Sequence, residues 1–207
     1  SLDDTLEVIK KAESKKINII NIDNSGILAK SKNAGIQIAL GEWIAFLDDD
    51  DYWYPNKLEV AMKYEKKYKP DFMFHPLHIV SDEKRIFNKI IYRSNHIPRK
   101  PVLLDLIKNG NYIAQSSVIV KKEILKKVNF LSEEKNNFGW EDFDTWIRCA
   151  MVTDNFANIN NVLVKSVYRT VPTVYCLVIA LKQKKPSPLF ARLPFFKATL
   201  HLHLWPL

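Results

Sequence analysis

Four consecutive aspartates, Asp48–Asp51, follow directly on the apolar run Trp43–Leu47 and lead into Tyr52–Tyr54 and Pro55. Like charges side by side repel, so such a cluster needs either bulk water or a cation. Hard divalent ions prefer oxygen ligands, and Mg²⁺ or Mn²⁺ keeps one or two carboxylates while sharing its other positions with phosphate oxygens and water. The carboxyl end of a strand is also where α/β sheets bind their ligands. The pattern points to a metal–diphosphate site, with a solvated acidic turn as the plainer alternative. A calcium loop of the EF-hand type is excluded, because no glycine stands at the sixth position.

A second acidic group, Glu141, Asp142 and Asp144, stands at the start of an amphipathic stretch. Acids in a first helical turn complement the macrodipole, by a few tenths of a kcal/mol up to about 1 kcal/mol, and need no further reason. One positioned carboxylate can also accept a proton from a hydroxyl as it attacks. A helix N-terminus would depress the pKa of Asp142, whereas apolar neighbours such as Phe138 and Trp140 would push it back up. Arg148 follows Asp144 by four residues and reads as its ion-pair partner, while Trp146 falls on the core face. His75, His78 and His96 have no ligand spacing and read as structural or surface residues.

These groups must be held by regular elements. Residues 6–15 read as the end of a helix and 16–23 as an alternating strand. Helices are expected over 25–40, starting at Ser25 and stopping at Gly41, and over 55–69, from Pro55 to the residue before Pro70. The run 42–47 has the continuous apolar character of a buried strand. Strands follow over 71–80, 85–93, 112–120 and 159–169, with helices over 101–110, 121–128 and 140–151. Alternating strands and helices predict an α/β protein with a mixed, mainly parallel sheet flanked by helices.

The net charge is +8, yet residues 1–154 carry +1, and every residue from 155 onward that is charged is basic. A nearly neutral body gives no electrostatic footprint for a phosphate backbone, so nucleic acid is not an expected partner. Two cysteines form no disulfide framework or metal motif, in keeping with a reducing cytoplasm. No secretory signal opens the chain. Residues 171–207 hold half of the ten prolines, no acid and no glycine. They are expected to form a separate basic tail beyond a 1–170 domain: lying on the inner face of a membrane, disordered, or of sequence not selected to fold with the body.

The ordered run "AKSKNAGIQIALGEWIAFLDDDDYWYPNKLE" (29–59) resembles the family 2 glycosyltransferases of the GT-A fold. That family shows Arg/Lys-Asn-x-Gly, a helix, Gly-Glu-aromatic-Ile, an Asp-x-Asp with a following Asp, and Pro-x-x-Leu. The resemblance implies that Asp48 and Asp50 form the Asp-x-Asp motif. Asp50 and Asp48 would then hold Mn²⁺ or Mg²⁺, with Asp49 or Asp48 near the nucleotide ribose. It places Lys32 and Asn33 near the nucleotide, although both also read as an ordinary polar helix face. "NNFGWEDFDTW" resembles the family's Glu-Asp motif, which makes Asp142 the catalytic base, Glu141 an acceptor-binding neighbour and Trp140 an apolar platform for a sugar ring. Gln115, Ser116 and Ser117 either line the donor or acceptor pocket or are polar residues at a sheet end.

The implied activity is metal-dependent, inverting transfer of a sugar from a nucleotide-diphosphate donor to a glycan or lipid-linked acceptor, in the setting of bacterial surface polysaccharides. Its first strand–helix–strand section has no counterpart here, so the chain is expected to be an N-terminally truncated GT-A domain. Two other readings stay open. One is an inactive remnant or interaction module, and the other a nucleotidyltransferase, against which the absence of a glycine-rich phosphate loop speaks.

Overall fold

The computed structural model describes residues 20, 22–48, 51–81, 91–137, 139–168 and 176–181. Two turns open it. Asp23 and Asn24 accept from the backbone amides two residues on, at 2.8 and 2.9 Å, and Ser25 and Gly26 take positive φ. Helix α1 therefore starts at Leu28, three residues after the expected serine, and runs to Ile38.

Strand β1 (Trp43–Asp48) follows, then β2 (Asp51–Trp53) and α2 (Lys57–Tyr68), which ends on left-handed Lys69 before Pro70. The expected 71–80 strand is two strands, β3 (Phe72–Phe74) and β4 (Leu77–Ser81), divided at Pro76. Proline has no N–H to give a ladder, so the chain leaves one sheet there and enters another. Next come β5 (Ile91–Arg93) and α3 (Val102–Asn109), stopped by Gly110. The expected 112–120 strand is instead a 3₁₀ turn, Gln115–Ser117, and a short β6 (Ile119–Lys121). Helices α4 (Lys122–Lys127) and α5 (Glu141–Val152) and strands β7 (Phe156–Asn158), β8 (Val164–Tyr168) and β9 (Cys176–Leu181) complete the order.

One sheet runs β7-β3-β6-β1-β9 and the other β2-β8-β4-β5. The sheets are mixed, as expected, with antiparallel pairs outnumbering parallel ones among the described residues. Among these residues, parallel pairing is found for β3–β7 and β4–β8, while β1, β2, β5, β6 and β9 pair antiparallel. Alternation of strands and helices does not fix direction, because a long enough connection lets a strand return either way. Cys176–Leu181 lies within the segment expected to be an appended tail. It is a strand here, paired antiparallel with β1 over the full six residues, Trp43 opposite Leu181 and Asp48 opposite Cys176. The expected helix over 6–15, and most of the 16–23 strand, lie outside the described residues.

β1 is covered on both faces, which accounts for its unbroken apolar sequence. Ile44 and Phe46 join Phe72, Phe74, Val120 and Trp146 on one side. Trp43 and Ala45 join Ala61, Met73 and Ile159 on the other. Trp146 sits edge-on to Phe72 and Phe46, with centroids 5.0 and 6.0 Å away, as expected of a core tryptophan.

A polar tie holds the far end of this layer. Asp71 accepts from Lys121 Nζ at 2.6 Å and from Thr153 Oγ1 at 2.7 Å, linking the start of β3, the end of β6 and the residue after α5. Burial alone would raise its pKa, but the Lys121 and Thr153 hydrogen bonds outweigh it and hold the carboxyl below its usual value. A depressed acid stabilises the fold above its unfolded pKa, about 3.9 for Asp, and loses that contribution as pH falls through the folded value. Asp71→Asn is expected to cost about 0.2–1 kcal/mol at neutral pH, since the pair is partly exposed. It should also flatten the stability loss below about pH 4, as urea titration at several pH values would read.

Candidate active site at the junction of the two sheets

The aspartate run begins at the carboxyl end of β1 and ends at the start of β2, so it spans the passage from one sheet to the other. Asp49 and Asp50 lie outside the described residues. Asp48 is held by its backbone, whose N–H donates to Ser116 Oγ at 2.9 Å. Its carboxylate is about one-third exposed and lies 3.8 Å from the ammonium of Lys32.

Lys32 is the structure's answer to the repulsion problem at this end. It comes from the middle of α1, is almost wholly buried, and hydrogen-bonds Gln115 Oε1. It also stands 3.7 Å from Glu141 Oε1 at the start of α5. One ammonium thus joins the strand-end acid to the helix-start acid, groups separated in sequence by more than ninety residues. Burial of Lys32 and Glu141 is tolerable because each has an opposite charge beside it.

At the other end, Asp51 is buried and the positive group is Lys57, the third residue of the Pro55–Leu58 stretch. Lys57 is fully buried. It donates to the Ser116 carbonyl at 2.6 Å and sits 4.2 Å over the Trp53 ring. Burial pulls its pKa well below the usual lysine value, and the Asp51 charge opposes that shift in part. Burial, then the Lys57 charge, likewise hold His75 well below the ordinary histidine value. Ser116 therefore serves both ends, its hydroxyl oxygen accepting from the Asp48 amide and its carbonyl from Lys57. Nothing in the spacing of Lys57 sets it apart from surface lysines, and the Gln-Ser-Ser run gave two readings of equal weight.

Asp142 is the second residue of α5 and partly buried. Its Oδ2 accepts from Asn111 Nδ2 at 3.2 Å and its Oδ1 from the Phe143 amide at 2.6 Å. Burial raises its pKa above the usual carboxylate range, against the opposing hydrogen bonds of Asn111 and Phe143 and the charge of Lys32; the Glu141 charge adds to the rise. Trp140, at the helix N-cap, leaves most of its ring exposed beside this acid.

Asn33 is placed differently from Lys32. Its amide donates to Leu131 O at 2.9 Å and Glu133 Oε1 at 2.8 Å, and its carbonyl accepts from the Leu131 amide at 3.0 Å. The side chain is committed to the loop that leads into α5. Arg148 pairs with Asp144 as expected, at 2.6 and 2.9 Å. It also donates to the carbonyls of Val128 and Phe130, so it ties α5 to the end of α4.

Among the described residues no three acidic, histidine or cysteine side chains cluster closely enough to hold a metal. The oxygen donor and partial exposure of Asp48 suit a hard cation as one ligand among several. His75 is enclosed in the core and His96 is hydrogen-bonded to Asp105 at 2.8 Å, so neither is directed to such an ion. No helix among the described residues is long and apolar enough to cross a membrane.

Residues 1–128 match the model of the Glycosyl transferase family 2. The chain is 30% identical over 162 residues to an uncharacterized glycosyltransferase of Methanocaldococcus jannaschii, covering 77% of this chain and 54% of that protein. It is 28% identical over 180 residues to the Escherichia coli enzyme WfaP, a UDP-Glc:alpha-D-GlcNAc-diphosphoundecaprenol beta-1,3-glucosyltransferase, covering 82% and 62% of the two chains. The fold matches that of S. aureus TarS 1–349 in complex with UDP, with a TM-score of 0.62 at 18% identity, over 81% of this chain and 48% of that one. The chain thus spans little more than half the length of these curated relatives, and the shared architecture is that of GT-A glycosyltransferases.

Proposed function

The chain belongs to glycosyl transferase family 2, with a GT-A fold, and we propose that its buried Lys32 junction is the core of a site for inverting sugar transfer from a nucleotide diphosphate. The observation that carries this reading is the convergence itself: Asp48, Glu141 and Gln115 meet at one ammonium, with Asp142 one residue along. Such a constellation brings a diphosphate-binding end and a proton-accepting end within one sugar's reach.

Asp142 serves as the base. Burial raises its pKa, which strengthens it as a proton acceptor, and Asn111 orients the carboxylate. Direct attack by the acceptor hydroxyl, with one base and no covalent intermediate, inverts the anomeric carbon. Trp140 offers its exposed ring to a sugar face, and Glu141 sits between donor and acceptor. Asp48 and Asp50 would hold Mn²⁺ or Mg²⁺, which when bound neutralises the leaving diphosphate as a Lewis acid. Lys32 places a second positive charge on the same side, and Asn33 acts as a positioning residue through the 131–133 loop. UDP is the nucleotide suggested by the relatives' names, with a glycan or lipid-linked acceptor.

Calorimetric titration of UDP-glucose and UDP-N-acetylglucosamine, with and without Mn²⁺, tests this. Binding is expected with Mn²⁺ and is expected to vanish in Asp50→Ala. No binding by a folded chain would favour the remnant reading.

A further inference from the structure

Two polar atoms beside Lys32 are sealed from solvent with no hydrogen-bond partner among the described residues: Gln115 Nε2 and Glu141 Oε2. A buried donor or acceptor left unpaired carries its full desolvation cost, so a native site that keeps two such atoms together invites a reason. Their chemistry is settled by the shared neighbour. An ammonium can only donate, so the carbonyl of Gln115 must face Lys32, and its NH₂ arm is turned outward as a donor. Glu141 gives Lys32 one oxygen at 3.7 Å and keeps the other as an acceptor. Both forks open from the same ammonium, and they offer opposite hydrogen-bonding characters.

A phosphate oxygen would satisfy the amide but would be repelled by the carboxylate. A hydroxyl suits both, because it accepts one hydrogen bond and donates another. We propose that Gln115 and Glu141 form a hydroxyl-reading pair for the sugar being transferred, with Gln115 the specificity-determining residue. This rests on the donor-site reading above. The assignment to the transferred sugar follows from Lys32, which links the pair to Asp48 on the diphosphate side. Both atoms are covered, so the hydroxyl enters only with a movement over the pair, as the diphosphate arrives beside Lys32. Sugar recognition is then coupled to the nucleotide diphosphate and is not expressed toward free sugars. A site built to pair a hydroxyl also rejects ligands lacking it, since the pair is then left unsatisfied.

The test is calorimetric titration of the full chain, with Mn²⁺, using UDP, UDP-glucose and UDP-N-acetylglucosamine, on wild type, Gln115→Met and Gln115→Glu. Gln115→Glu keeps an oxygen toward Lys32 and replaces the donor arm with an acceptor, which guards against mere loss of folding in Gln115→Met. The ratio of UDP-sugar to UDP affinity should fall roughly tenfold in both variants, the worth of one hydrogen bond with a charged neighbour. A ratio unchanged in both variants overturns the hydroxyl pair while leaving the donor site standing. A wild-type chain that binds no UDP overturns the donor-site reading, and the pair with it.

Discussion

Asp142→Asn is expected to lower kcat by about 10²- to 10⁴-fold, the range in which a positioned general base acts, with little change in donor affinity. The substitution keeps the side chain's shape and its place beside Asn111 while removing the proton acceptor. The same change should leave stability intact or raise it slightly. Burial disfavours the charged form of Asp142 in the fold, so the carboxylate subtracts from stability as pH rises through its raised pKa, and the neutral amide removes that cost. The acid limb of kcat/KM in the unaltered protein should accordingly lie above the ordinary carboxylate range of about 4. Turnover, a pH–rate profile and thermal unfolding measured on both proteins decide the matter. A kcat within tenfold of the parent, or a limb at ordinary carboxylate pH, would remove Asp142 from the role of base.

Trp146→Ala should destabilise the fold by about 3–5 kcal/mol, a large share of what a domain of this size has. Trp146 is wholly buried between Phe46 of β1 and Phe72 of β3, and it anchors the helix that carries Glu141 and Asp142. Truncation leaves a cavity under that helix and frees its first turn to shift. Trp146→Phe is the informative control. It keeps most of the ring contacts and deletes an indole N–H that has no partner among the described residues, so its cost should be much smaller. Urea unfolding of the two variants reads both effects. Equal losses would mean that the full size of the indole, and not simply an aromatic ring at this place, carries the stability.

Much of this site was legible in local patterns. An apolar run ending in acids announces a buried strand with polar chemistry at its tip, and β1 is that strand. Acids at a helix start followed by aromatic spacing announced α5, its buried Trp146 and the Asp144–Arg148 pair. What stayed hidden was whatever depends on contact across long sequence distance. Resemblance set Lys32 near the nucleotide, but its residue pattern alone read equally as a polar helix face, and only folding set it against Asp48, Gln115 and Glu141. Lys57 looked like a surface residue in a charged helix, and only tertiary burial reveals it as the counter-charge behind Asp51. Gln115 and Ser116 interrupt an otherwise β-rich stretch, and their polar side chains favour a tight turn over a ladder. Strand direction was equally invisible, because composition does not tell a returning strand from a parallel one.

β9 follows β1 by more than a hundred residues, yet it forms one flank of the strand that bears the aspartates. During synthesis β1 emerges early and must wait for more than a hundred further residues before Cys176–Leu181 can zip onto it. Until then one edge of a very apolar strand is bare, and bare apolar edges invite contacts with other nascent chains. Closing so long a loop adds little thermodynamic penalty but slows the final step. This flank of the sheet thus closes long after β1 has emerged, and the interval between is when a holding chaperone would matter most.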